Sequence, residues 1–147
     1  MDARDYLTLA LELSRRARPV DLRAAVGRAY YAAFNVAAET LRIWNTPVVR
    51  NAAGHGEVLR FLGNAGDADL KQVTNELVRL RNKRNAADYD LSARDVEDQK
   101  TVQLLVDRAR WAIATLDRCA APPRNTSIIA AIQDYRRKIA PPGSSTP

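Results

Sequence analysis

The chain has 147 residues, 46% of them hydrophobic, which is enough for a single domain to bury a core without a disulfide or a structural metal. Its one cysteine, Cys119, excludes an internal disulfide, and one cysteine with one histidine cannot complete a zinc site, so we expect neither a metal nor a cofactor. The net charge of +6 is typical of a protein with a polyanionic partner such as RNA, or only of an ordinary basic surface. No apolar run approaches the ~18 residues of a membrane span, which favours a cytoplasmic protein without a membrane partner.

Apolar residues recur at helical spacing along almost the whole chain, and no segment competes as a strand. Pro19 is expected to interrupt the helical pattern, with Asp21 capping an alanine-rich second helix that lets a neighbour approach closely. Residues 45–56 hold Pro47 and two glycines and are predicted to form a loop. The predicted helices cover 3–17, 20–44, 57–62, a stretch from Asp67 or Asp69 to about Asn85, 93–119 and 126–139.

Two local signals set the limits of the helix over 93–119. Ser92 followed by Asp95 resembles a capping box, and Pro122 with Pro123 ends the helix. Together the elements predict an all-α fold, an antiparallel bundle of four principal helices with short extra helices. We expect residues 1–121 to form the bundle, 122–140 to pack on it or extend it, and 141–147 to be a disordered tail.

The densest chemistry lies in residues 79–90, RLRNKRNAADYD. Arg81 and Arg84 are three residues apart and therefore neighbours on a helix, where two guanidinium groups make a phosphate clamp. An alternative remains open, because cations in the last turn of a helix also complement its dipole, and Asp88 stands one turn beyond Arg84. The four cations of this segment do not share one face; they are Arg79, Arg81, Lys83 and Arg84.

A second group of polar residues precedes this segment. Tyr30 and Tyr31 point about 100° apart on a helix, so one can face the core while the other reaches an edge. Arg28 and Asn35 share a side of that helix with Tyr31. His55, the only histidine, stands between two glycines, where it is either an ordinary surface residue or an acid–base group that needs a partner and a phosphate nearby.

Three segments, RAYYAAFNVAAETL (28–41), GHGEVLRFL (54–62) and LVRLRNKRNAADYDL (77–91), resemble in order and spacing the signatures of the HEPN family. The resemblance extends over about 4–119. It implies a helical bundle that commonly dimerises around a shared cleft, and many members look like metal-independent endoribonucleases. In these the motif is an arginine, often a following polar residue, and then a histidine four to six positions later. The family also implies toxin or defence systems, often beside a nucleotidyltransferase-type antitoxin.

The chain departs from this motif after Arg81 and Asn82, because no histidine follows and Asp88 and Tyr89 stand there instead. A carboxylate is ionised near neutral pH and does not shuttle protons easily. If the protein is active, the resemblance makes Arg81, Arg84 and Asp88 the catalytic candidates. The RNA- or nucleotide-binding candidates are Arg79, Arg81, Asn82, Lys83, Arg84, Tyr89, Tyr30, Tyr31, Arg28 and His55.

Three functions therefore remain open on the sequence. The chain is a toxin-like or defence-associated RNA-targeting component of a two-gene system, or a catalytically silent module for RNA, a nucleotide or a partner protein. The third possible function is that of a structural homodimer, in which Arg84 pairs with Asp88 and the tyrosines Tyr30 and Tyr31 form the dimer seam.

Overall fold

A computed structural model describes residues 1–140 and Gly143, and within them the chain is all-α, which confirms the predicted fold class. The helices are α1 (Arg4–Ser14), α2 (Pro19–Ile43), α3 (Ala52–Gly63), α4 (Ala68–Tyr89), α5 (Gln99–Ala120) and α6 (Arg124–Ile139), with one 3₁₀ turn at Asp95–Glu97. Apart from Gly143, the tail expected at 141–147 lies outside the described residues.

Helix α2 is the centre of the bundle and packs against α1, α4 and α5. Most of its residues are buried, and the small side chains of Ala25, Ala29 and Ala33 have no exposed surface, so neighbouring helices approach its backbone closely. Helix α3 lies beside α4, and α6 covers the far end of α5 and contacts α3. Ile128 and Ile132 anchor α6 in the common core.

The first two helices differ from the prediction at their junction. Helix α1 ends at Ser14, three residues early, and the Ser14 hydroxyl donates to the Leu11 carbonyl at 2.9 Å. Pro19 begins α2 instead of interrupting it, because the first turn of a helix needs no N–H from that position. The cap predicted at Asp21 is therefore wrong; its carboxylate lies inside the first turn, 3.8 Å from Nε of Arg18.

The loop predicted over 45–56 is too long, since α3 begins at Ala52. Asn51 caps it, with the side-chain oxygen accepting from the Ala53 N–H at 2.9 Å. Gly54 permits this start, because a Cβ there would lie only 1.6 Å from the Val49 carbonyl oxygen. His55 consequently lies in the first turn of a helix that is longer than predicted, because the two glycines in the sequence favour a loop at this position.

The end of α4 is held by a residue far away in the sequence. Helix α4 runs to Tyr89, beyond the predicted end at Asn85, and the Arg23 guanidinium reaches across from α2. It donates to the backbone carbonyls that close the helix and the following turn, at 2.9–3.4 Å, and Nε donates to Glu97 at 2.8 Å. The carbonyl acceptors are those of Ala86, Ala87, Asp90, Leu91 and Ala93.

The predicted capping box at Ser92 and Asp95 is wrong. The Ser92 N–H and hydroxyl both donate to the Asp90 carboxylate, which folds the turn after α4. Helix α5 begins only at Gln99, with Asp98 as its cap, accepting from the Thr101 N–H at 2.9 Å. Because Asp98 stands immediately before the helix, its carboxylate caps α5 and Ser92 is not needed for this.

Candidate functional site

Helices α2, α3 and α4 bring together the side chains of Tyr30, Tyr31, His55, Arg81 and Arg84, here called the Arg–Tyr–His cluster. Tyr30 and His55 are buried, at 4% and 5% exposure, and the Tyr30 hydroxyl lies 3.0 Å from Nδ1 of His55. Tyr31 is half-buried, which confirms that the two phenols divide between core and edge. The only histidine of the chain therefore lies beside the arginines, although it precedes them by more than 25 positions.

The Arg84 guanidinium is fixed by its surroundings. It lies 5.5 Å and 5.3 Å from the ring centroids of Tyr30 and Tyr31, and Nη2 donates to the Tyr31 hydroxyl at 3.0 Å. Nη1 donates to the Asn85 side chain at 2.8 Å, and Nε lies 3.8 Å from Asp88, too far for a hydrogen bond. Arg84 is thus mainly a structural cation that orders the tyrosines.

Arg81 is the freer of the two arginines. It is half-buried, and within residues 1–140 no hydrogen-bond acceptor or carboxylate partner is assigned to its guanidinium. Its charge nevertheless acts on the cluster, since among the neighbouring charges it has the largest effect on the pKa values of both His55 and Tyr30. A guanidinium with its donor fork available is the group that recognises a phosphate oxygen pair.

Burial and the two arginines set the protonation of the cluster. The pKa of His55 is lowered from 6.5 to about 4, chiefly by burial, because the imidazolium loses its hydration, and in the same direction by the charges of Arg81 and Arg84. Burial raises the pKa of Tyr30, which the two arginines oppose. At neutral pH the cluster therefore carries a neutral imidazole, a neutral phenol and two positive charges.

The cluster extends to the N-terminal helix through Arg28. Its guanidinium lies 5.3 Å from the ring centroid of Tyr6 and 5.2 Å from that of Tyr31. The Asn35 side-chain amide donates to the Tyr31 carbonyl at 2.8 Å, so the predicted set of Arg28, Tyr31 and Asn35 shares one side of α2. The spacing of residues along the chain does not predict that Tyr6 joins this set, because only the packing of α1 on α2 brings it to Arg28.

The remaining candidates on α4 lie outside the cluster. Arg79 and Asn82 are exposed, and the Lys83 ammonium pairs with Asp95 before α5. Tyr89 is 79% exposed at the end of the helix, and Asp88 is exposed beside Arg84. The basic segment is therefore divided, with only Arg81 and Arg84 at the tyrosines and the histidine.

Of the two tyrosines predicted for a dimer seam, Tyr30 is packed inside the bundle and Tyr31 is half-buried. Tyr30 keeps only 4% of its surface and packs against Phe34, Tyr31 and His55, so it has little surface to offer a second copy. Cys119 is buried at the end of α5 and serves the core. Among the described residues, no three His, Cys, Asp or Glu side chains come close enough to hold a metal ion, and no helix is long and apolar enough to cross a membrane.

A cleft of about 840 Å³ lies elsewhere, between α1, α2 and the facing ends of α5 and α6. Its charged groups neutralise one another, because Arg50 pairs with Glu39 at 3.0 Å and Arg4 pairs with Asp117. The cleft therefore offers no unbalanced charge to an anion. The Arg–Tyr–His cluster, in contrast, has the guanidinium donors that a phosphate requires.

Comparisons of the chain with protein-family models, with curated proteins and with solved structures find no match. A function for this chain must therefore be inferred from its own residues. In the Arg–Tyr–His cluster, Tyr30 contacts His55 and Arg84 contacts both tyrosines, while the charge of Arg81 acts on Tyr30 and His55.

Proposed function

We propose that the chain is a HEPN-type helical protein that binds RNA through the Arg–Tyr–His cluster, with Arg81 as the principal phosphate ligand. The observation that carries the proposal is the position of Arg81. Its positive charge acts on both members of the buried Tyr30–His55 pair, and no acceptor among residues 1–140 binds its guanidinium, while Arg84 donates to Tyr31 and Asn85. A positive charge held at the edge of an apolar, aromatic site attracts a phosphate more strongly than the same charge in water.

The proposed activity is binding, because the cluster lacks a proton donor suited to RNA cleavage. Attack by a ribose 2′-OH requires a base and an acid whose pKa values lie near the working pH. His55 has a pKa of about 4, so it is neutral at pH 7 and has almost no imidazolium to act as the acid. Asp88 is exposed and lies 3.8 Å from Arg84, outside the buried part of the cluster.

The proposed biological setting follows from the resemblance of the three signatures alone. In that setting the chain is the toxin-like or defence-associated component of a two-gene system, acts in the cytoplasm as a homodimer and meets a nucleotidyltransferase-type antitoxin. Co-expression with the product of the adjacent gene tests this setting: growth arrest by the chain alone, relieved by the neighbour, supports it, and growth without arrest in both cases counts against it.

The binding proposal is tested by fluorescence anisotropy with a labelled single-stranded RNA. Arg81→Ala should weaken binding about tenfold or more, because a charge-assisted hydrogen bond to a phosphate is worth about 1.5–3 kcal/mol. Arg79→Ala is the matched control, since it removes the same charge from the same helix on a different, exposed face. Equal losses in the two variants would mean that RNA senses only the net charge.

A second candidate function is purely structural, and the Arg84–Asp88 contact of 3.8 Å favours it. In that case Arg84 and the tyrosines serve only to join α2 to α4. Arg84→Ala then lowers the free energy of unfolding, and Arg81→Ala leaves RNA affinity unchanged. The two candidates are separated by incubation with total RNA as well: the binding module retains RNA without cutting it, and the structural protein does not retain it.

A further inference from the structure

The cleft between α1, α2, α5 and α6 shares a wall with the Arg–Tyr–His cluster. Tyr6 lines the cleft, and the centroid of its ring lies 6.2 Å from that of Tyr31. Asn35 lines it as well; its amide nitrogen donates to the Tyr31 carbonyl, and its amide oxygen accepts from Nη1 of Arg50 at 3.2 Å. The cleft therefore begins where the cluster ends, on the same side of α2.

The cleft follows α2 away from the cluster. Residues of α2 line it from Asn35 to Trp44, a length of about 14 Å at the helical rise. Its floor is apolar, since Val36 and Trp44 are only 3% and 2% exposed, and Ile129 of α6 adds to it. The volume of about 840 Å³ lies within the range of roughly 300–1,000 Å³ for pockets that hold small organic ligands. The cleft thus has room for a planar ring system and an apolar surface against which such a ring can pack.

The charges of the cleft and of the cluster differ in a way that matches the two halves of a nucleotide. In the cleft, Arg50 pairs with Glu39 and Arg4 pairs with Asp117, so each charge is neutralised by its neighbour. In the cluster, no carboxylate among residues 1–140 pairs with Arg81. A nucleotide likewise joins an anionic phosphate to a neutral, planar base. The cluster is complementary to the phosphate and the neutral cleft to the base.

One amide of the cleft wall has hydrogen-bonding capacity to spare. Asn125 is half-buried in the first turn of α6 and lines the cleft. The Thr126 hydroxyl reaches its amide oxygen only at 3.5 Å, and no acceptor among the described residues is assigned to its amide nitrogen. An asparagine amide can pair with the neighbouring donor and acceptor on one edge of adenine. Asn125 can therefore bind the polar edge of a base whose ring packs on the apolar floor.

We propose that the cleft is a base subsite, which takes an adenine of the same RNA strand whose phosphate Arg81 binds. Tyr6 is the aromatic contact of this base, and Asn125 binds its edge. The guanidinium of Arg28, 5.3 Å from the centroid of the Tyr6 ring, holds that ring between the cluster and the cleft. The base subsite rests on the RNA binding proposed above, and adds to it a reason for the protein to distinguish RNA from other polyanions, because stacking on an aromatic side chain requires a base.

Adenosine, a nucleoside without a phosphate, tests the cleft separately from Arg81. The chain has two tryptophans, Trp44 in the floor of the cleft and Trp111 on α5 outside it, so a ¹⁵N-labelled sample gives one indole signal from each. Adenosine at millimolar concentration should shift the signal of Trp44 and leave that of Trp111 in place, while ribose 5-phosphate, which lacks the base, should shift neither. Trp111→Phe assigns the two signals. No shift of Trp44 up to about 10 mM adenosine, or equal shifts of both indoles, overturns the base subsite.

An abasic strand tests whether the cleft takes a base of RNA. A labelled oligoadenylate and its abasic counterpart carry the same phosphates, and the intact strand should bind the wild type about tenfold or more tightly in fluorescence anisotropy. Tyr6→Leu keeps an apolar side chain at this position; it should weaken the intact strand about tenfold and leave the abasic strand unchanged. Tyr135→Leu is the matched control, because Tyr135 is a half-buried tyrosine that packs on Phe61 outside the cleft. It should leave both affinities unchanged, and circular dichroism verifies that each variant is folded.

Arg81→Ala in the same assay separates a failure of the base subsite from a failure of the phosphate contact. It should weaken the intact and the abasic strand alike, because both carry the phosphate. If it does so while Tyr6→Leu weakens neither strand, or weakens both equally, RNA binding stands and the base subsite is refuted. If Arg81→Ala affects neither strand, the phosphate contact is refuted, and the assignment of the cleft to the same RNA strand is refuted with it.

Discussion

The buried imidazole of His55 should make the stability of the protein depend on pH in a way that one substitution removes. The pKa of His55 is about 4 in the folded protein and 6.5 in the unfolded chain. Between these two values the unfolded chain binds a proton that the folded protein excludes. Stability must therefore rise with pH across this window and become independent of His55 above about pH 7.

The two pKa values determine the size of the effect. Near pH 5 the unfolded histidine is almost fully protonated and the folded one is almost fully neutral, whereas near pH 7 both are largely neutral. Linkage then gives a gain of about 2 kcal/mol in the free energy of unfolding from pH 5 to pH 7. The steepest part has a slope of about 1.4 kcal/mol per pH unit, the value for one proton.

Urea unfolding of the wild type and of His55→Gln, followed by circular dichroism at several pH values, measures this contribution. Carboxylates with lowered pKa values, such as Asp67 and Asp95, also favour the folded state above their pKa, but they contribute equally to both proteins. The difference between the two proteins therefore isolates His55, the only histidine. Parallel pH profiles, with no additional rise in the wild type, would refute a buried neutral imidazole beside the arginines.

Four further substitutions test the contacts that fix the helix ends. Gly54→Ala should destabilise the protein by about 1–3 kcal/mol in thermal unfolding, because the new Cβ meets the Val49 carbonyl, while Gly56→Ala, with no atom within 4 Å, should be neutral or stabilising by up to about 1 kcal/mol. Arg23→Lys should speed amide hydrogen exchange at residues 86–93 more than elsewhere, because the lysine ammonium lacks the planar donor fork with which Arg23 binds several carbonyls at once. An equal change of exchange rate along the whole chain would contradict this. Asp98→Ala should cost about 1 kcal/mol through loss of the α5 cap, and an unchanged melting temperature would show that the cap is dispensable.

Much of the bundle is predictable because helical spacing is a local signal. The apolar stripes of α2 and α5 identify both helices, and α2 is placed to within one or two residues at each end. The start of α5 is the exception among these limits. There a short 3₁₀ turn precedes the helix, and Asp98, not Ser92, caps it.

The errors at α3 and α4 have a different origin, because long-range contacts decide those helix limits. Two glycines argue for a loop around His55, yet Gly54 is needed so that the first turn can pass the Val49 carbonyl. Nothing near Asn85 indicates that α4 continues to Tyr89. The Arg23 side chain stabilises that extension from more than 60 positions away, which no local pattern reveals.

The candidate site, too, is predictable where the signal is local and unpredictable where it depends on long-range contacts. The helical spacing of Arg81 and Arg84 predicts their adjacency, and the double tyrosine predicts one buried and one edge phenol. The contact of His55 with Tyr30 depends on the packing of α3 against α2 and α4, which is not visible in the sequence. The same holds for Lys83, which pairs with Asp95, and for Arg79, which is exposed on another face of α4. Side-chain partners, more than positions along the chain, distinguish Arg81 from the other cations.

The central claim, that Arg81 contacts an RNA phosphate, is tested most directly by the salt dependence of RNA binding. Each phosphate contact on a single strand contributes about 0.7 to the slope of log K against log salt concentration, through release of counterions. Arg81→Ala should reduce the slope by about that amount and weaken binding at every salt concentration, whereas Arg79→Ala should leave the slope close to that of the wild type. An unchanged slope in Arg81→Ala would contradict the proposed phosphate contact.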